Sequence, residues 1–172
     1  MFHSRIFVLL QDWSSDNGLT GRFDSDAATN GYTRAAPTNE NLEYLLQRHF
    51  EVTLGQVYAT NLFPFIKTGA MNNSIPTKAL DRAAEEFAKP QIEIVKPQIV
   101  ICLGLETFNS MRRVCDQKRV ECVADAVSSK FLMGDIEVWG QSHPGALGKA
   151  SRNKGGVDRV TGDWSLMAKA LR

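Results

Sequence analysis

Apolar positions in this chain come in blocks, and the spacing inside each block changes along the sequence. RIFVLLQ (5–11) is a continuous apolar run between polar residues, the pattern of a strand buried on both faces. NENLEYLLQRHF then places Leu42, Leu45, Leu46 and Phe50 at helical spacing, with Thr38 or Asn39 as the expected cap. QVYATNLFPF returns to strand character and is expected to end near Asn61. In TKALDRAAEEFAKPQIEIVKP, Leu80, Ala83, Ala84 and Phe87 share one helical face, Thr77 is the expected cap, and Pro90 kinks the helix or starts a second segment. PQIVICLG predicts a third buried strand, and LETFNSMRRVCD a short helix beginning just after Gly104. SKFLMGDIEVWGQ holds two apolar runs around Gly134-Asp135, of which Ile136 to Gly140 predicts a strand. The tail GVDRVTGDWSLMAKALR carries Val157, Val160, Trp164, Met167 and Leu171, which suits a closing amphipathic helix.

Strand and helix therefore alternate. That order predicts an α/β fold: a three-layer α/β/α sandwich around a mainly parallel, roughly four-stranded sheet, as a single domain over residues 1–172. Open sheets of this kind bind ligands at the carboxyl ends of their strands. The exits to inspect are QDWSS (11–15), TNLFPF (60–65), LGLET (103–107) and SHPGALGK (142–149). The polar stretch from Asp16 to Pro37 is longer than a routine connection and is read as a functional loop.

Composition narrows the picture by exclusion. The net charge of +1 gives no global field that would announce a nucleic acid or a membrane, so any basic surface must be local. Three cysteines, with no CxxC pair, argue against a disulfide framework and a standard zinc site, and Cys102 is expected as a buried thiol. The apolar core of MFHSRIFVLLQDW is too short to span a membrane and no cleavage pattern follows it, so the chain is expected to be cytoplasmic and monomeric. There is no P-loop and no GxGxxG. GQSHPG departs from a nucleophile elbow at Pro144, and no helix is expected close behind it.

What remains is an acid, an amide, a histidine and a leucine on separate exits. Asp12 can orient or deprotonate a water or oppose nearby positive charge. The Asn61 amide offers donors and an acceptor suited to the edge of a uracil-like ring. His143 can stabilise an oxyanion on a leaving base, and Leu147 can wedge into a duplex.

Four stretches in this order, LLQDWSS, VYATNLFPF, VKPQIVICLGLETF and SHPGALG, resemble the motifs of the uracil-DNA glycosylase superfamily. The resemblance spans residues 5 to 148. It implies hydrolysis of an N-glycosidic bond in damaged DNA after the nucleotide is flipped out of the helix, in base-excision repair, without a metal or other cofactor. Asp12 and His143 would be catalytic: Asp12 positions water and opposes an oxocarbenium-like sugar, and His143 carries charge on the departing base. Gln11, Asn61 and Phe23 would recognise the base, and Trp13 and Ser14 would line the pocket. Leu147, Lys149, Arg152 and Lys154 would contact DNA.

This sequence also departs from the family pattern. Trp13-Ser14-Ser15 stands where better-known members carry Pro-Tyr-His, and Ser14 is too small to exclude the thymine methyl group. Gly145 and Ala146 replace the second motif's serine and second proline. Three cysteines do not supply the four-cysteine iron–sulfur set of some branches. Two other readings stand beside the glycosylase: an inactive relative that binds nucleic acid or a protein through the same cleft, and an unrelated α/β hydrolase or nucleotide-binding domain that shares only the sheet.

Overall fold

The computed structural model describes residues 5–21 and 23–171. Five strands form one sheet in the order β2-β1-β3-β5-β4. β1 (Ile6–Asp12) lies between β2 (Tyr58–Phe63) and β3 (Ile99–Leu103), parallel to both. β5 (Ile136–Gln141) is parallel to β3, and β4 (Phe131–Met133) closes the edge antiparallel to β5. The fold is thus α/β with a mostly parallel sheet. It has five strands rather than about four: the first apolar run before Gly134 is itself a strand, folded back as a hairpin. A three-residue run is too short to show alternation, which is why it is easily missed.

Helices cover both faces. α2 (Pro37–Phe50) and α8 (Arg159–Ala170) lay Leu42, Leu45, Leu46, Val160, Trp164 and Met167 against Ile6, Val8, Ile99, Ile101 and Leu103. On the other face α3 (Thr77–Ala83), α4 (Lys89–Val95), α5 (Leu105–Val114) and α6 (Val123–Ser128) pack on Phe7, Leu9, Val100, Cys102 and Val138. β1 and β3 contribute alternate residues to each core, as strands buried on both sides must. Cys102 is fully buried there, and desolvation raises its thiol pKa far above the ordinary value.

Local chemistry corrects several expected boundaries. Pro37 occupies the first turn of α2 behind the cap residue Ala36, so neither Thr38 nor Asn39 caps it; proline's fixed φ suits that position. Thr77 likewise lies inside α3, and Pro76 is its cap. Between α3 and α4, residues Ala84–Ala88 form a π turn, after which Pro90 sits in the first turn of α4. The wider turn accommodates a residue with no N–H, and the chain continues without a break. β2 runs two residues past Asn61. The Asp16–Pro37 stretch contains a 3-10 turn (Asn17–Thr20) and the short helix α1 (Ser25–Asn30), capped by the Asp24 carboxylate. Finally, α7 (Ala146–Arg152) follows His143 directly. With Gly148 in a short polar helix, no apolar periodicity reveals it.

Candidate active site at the strand exits

β1 is followed by β2 on one side, and the chain then crosses back over β1 to β3. The switch point lies between β1 and β3, where ligands bind in sheets of this type. Asp12 ends β1, and Gly104, held at φ +99° where a side chain is strained, ends β3. His143 stands beside Gly104: a Cβ there would lie 4.0 Å from the His143 Cβ. Asn61 pairs with Leu10 and Phe63 with Asp12, so Asn61 and Asp12 project from the same face of the sheet. On that face α2 supports the His143 loop, its Asn41 Nδ2 donating to the Pro144 carbonyl at 3.0 Å.

The His143 ring is anchored at one nitrogen. Nδ1 accepts the Gly145 N–H at 3.0 Å, so in the neutral ring Nε2 carries the proton and is the free donor. Burial lowers the His143 pKa, and the Asp12 charge pulls it partly back up. The two groups lie 131 positions apart in sequence. Because the charged ring is disfavoured by folding, His143 adds stability that is complete above the ordinary imidazole value and is lost as pH falls toward its lowered one. An NMR titration of the imidazoles is expected to put the His143 midpoint below 6.5, the unperturbed value. Asp12→Asn is expected to lower it further; an unchanged midpoint would separate the two groups.

Asp12 itself is held. Lys67 Nζ lies 2.6 Å from Asp12 Oδ2, with side-chain exposures of 8% for the lysine and 12% for the aspartate. Gln11 Nε2 donates to the other Asp12 oxygen at 3.3 Å. Lys67 was not among the expected site residues. It follows β2 after an irregular FPFI stretch, and only the Ser15–Lys67 bridge, which prolongs the β1/β2 pairing, brings it over Asp12. No spacing rule announces such a contact.

The other expected residues divide. Asn61 is half-buried, and among the described residues its side-chain amide makes no hydrogen bond. Trp13 is 58% exposed beside Asp12, and the Ser14 hydroxyl donates to its neighbour's carbonyl, Ser15 O. Phe23 is 84% exposed, ahead of α1, and no ring contact joins it to the strand exits. Leu147 is 88% exposed on the first turn of α7, and Lys149 and Lys154 are also exposed. Arg152 differs: its guanidinium grips Asp163 of α8 at 2.6 and 2.9 Å. Removing it strands a carboxylate of 9% exposure. Arg152→Met is therefore expected to cost about 1–3 kcal/mol in urea unfolding, less than a fully buried pair because the guanidinium keeps some solvent.

Gly148 is a site residue the sequence pattern did not flag. A Cβ at Gly148 would lie 2.3 Å from the His143 carbonyl oxygen, closer than packing allows. Gly148→Ala is expected to displace the His143 loop, seen as a large shift of the His143 ring resonances in a protein that still folds.

Ser142 is buried with its hydroxyl unpartnered. A helix does follow this segment, but the neighbouring His143 Nδ1 is occupied by a backbone donor, so no serine–histidine hydrogen bond exists. A nucleophile elbow is not assembled here. A cavity of about 600 Å³ opens at the opposite end of the sheet, between Ile6, Ile99, His49 and Leu171. It contains none of the strand-exit residues, and Arg5 and Gln98 in its wall bond to each other at 2.8 Å. Among the described residues, no helix is long and apolar enough to cross a membrane.

The sequence matches no protein-family model and no curated protein.

Proposed function

We propose that the protein is a DNA glycosylase of the uracil-DNA glycosylase type, with a three-layer fold of that kind, which hydrolyses the N-glycosidic bond of uracil or a related damaged base flipped out of DNA. The single observation that carries the reading is the placement of Asp12, at the end of β1, and of an Nδ1-anchored His143, beside Gly104 after β3, at the β1/β3 switch point.

The roles follow from the atoms. His143 Nε2–H donates to the carbonyl oxygen of the base as the glycosidic electron pair moves into the ring. A donor that is already neutral and fixed by Gly145 needs no reorganisation during the step. The Asp12 carboxylate orients the attacking water and opposes the positive charge on the sugar. Asn61, whose amide makes no hydrogen bond among the described residues, reads the base edge from the same sheet face. Leu147 on α7 enters the stack where the base has left, and Lys149 and Lys154 beside it meet phosphates. Arg152 supports α7 through Asp163. The Ser14 side chain is too small to bar a methyl group, so bases other than uracil fit the reading.

The test is alkali-dependent strand cleavage of single- and double-stranded oligonucleotides carrying uracil, hypoxanthine or a G·T mismatch. Cleavage of one or more, abolished in His143→Ala, is the expected result. Salt-sensitive binding without cleavage transfers the site to a non-catalytic DNA-binding role; neither binding nor cleavage removes the reading. Where binding is seen, Lys149→Ala and Lys154→Ala should each reduce the salt slope by about 1.

A further inference from the structure

The proposed hydrolysis uses Asp12 but gives no task to the amine pressed against it. Lys67 is a primary amine, nearly enclosed, whose ammonium donates to Asp12 Oδ2 at 2.6 Å and to the Met71 carbonyl. A buried ion pair is a poor stabilising device, since apolar residues of the same volume commonly do as well. This pair sits at the carboxyl end of β1, the end of the sheet where ligands bind in folds of this type. A lysine amine forms Schiff bases with carbonyl carbons once it has shed its proton, and Asp12, 2.6 Å away, is the group placed to receive it.

We infer that Lys67 is a nucleophile toward the aldehyde of an abasic site, so that the protein also cuts the DNA strand by β-elimination. The inference rests on the glycosylase reading for placing the sugar at Asp12. The product of base hydrolysis is a deoxyribose whose C1′ opens to an aldehyde, and that carbon then lies where Asp12 faced the oxocarbenium ion, within reach of Lys67 Nζ. Asp12 accepts the ammonium proton. The free amine adds to C1′, a C–N bond forms, and the carbonyl oxygen leaves as water with the two amine hydrogens, giving an imine. Protonation of the imine acidifies C2′. A C2′ proton passes to solvent, its electron pair forms the C2′=C3′ bond, and the 3′ phosphate leaves with the C3′–O pair. Water hydrolyses the imine and restores the amine. No oxidant or reductant is consumed.

The experiment uses the full chain, an oligonucleotide with a preformed aldehydic abasic site, and borohydride to reduce the imine to a stable amine. The expected result is a covalent complex whose adduct maps to the peptide carrying Lys67, strand cleavage without alkali, and none of either on an abasic site reduced to the alcohol. Lys67→Arg keeps a cation for Asp12 but has no primary amine, and should lose the adduct while melting like the parent. No adduct with the parent protein, an adduct on another residue, or an undiminished adduct in Lys67→Arg overturns the inference. Should the variant not fold, the peptide map of the parent decides alone. A uracil oligonucleotide run in parallel keeps the two ideas apart. Base release without an adduct removes only the lyase, and an adduct without base release removes only the glycosylase.

Discussion

Asp12→Asn is expected to slow base release by at least about a hundredfold, roughly 2.7 kcal/mol of transition-state stabilisation. The substitution keeps the size and shape of the side chain at the end of β1, so what it removes is charge. An amide neither opposes an oxocarbenium ion nor takes a proton from water. It also leaves Lys67 without its anion, so the thermal transition should be measured alongside to confirm that the variant is folded at the assay temperature. Binding of substrate DNA should change little, because the proposed phosphate contacts come from α7 and the residues after it. A variant that retains base release within about threefold removes Asp12 from the mechanism.

Trp164→Ala carries the largest expected effect on stability. Trp164 is fully buried between α8, α2 and the sheet, with Phe50 edge-on at 6.2 Å and His49 at 6.4 Å. Losing so large a side chain from a close-packed core should cost about 3–5 kcal/mol, or roughly 6–20 °C in Tm for a chain of this size. Trp164→Phe should cost less than the alanine change, because the indole N–H is buried with no hydrogen-bond partner among the described residues and its removal breaks no bond among them. Thermal unfolding of both variants checks this. Equal losses would mean that the N–H is held in a way the packing does not show.

Much of the framework was legible because buried parallel strands leave uninterrupted apolar runs. RIFVLLQ and PQIVICLG became β1 and β3, and the Leu42–Leu45–Leu46 and Val160–Trp164–Met167 faces became the helices that cover them. What escaped was short or locally determined. β4 has three residues, α7 has seven with no buried side chain, and α1 hides in a polar stretch where only the Asp24 cap marks it. For the candidate site, strand-end logic expected Asp12 and His143 at strand exits, and the structure has Asp12 at the end of β1 and His143 two residues after β5. It did not find Lys67 or Gly148. Their placement depends on a loop folding back along β1 and on a helix starting against a carbonyl, contacts that leave no periodic trace. Phosphate-contact logic also cannot separate Arg152 from Lys149, because the partner that occupies the guanidinium, Asp163, lies eleven residues further on.

The most direct measurement is mass spectrometry of the small molecule released when the protein acts on uracil-containing DNA. A glycosylase built on Asp12 and His143 should liberate the free base, one for each abasic site formed, and Asp12→Asn should release almost none. A nucleotide or nucleoside in place of the base, or no product from any of the damaged-base substrates, would contradict the assignment of this site to N-glycosidic bond hydrolysis.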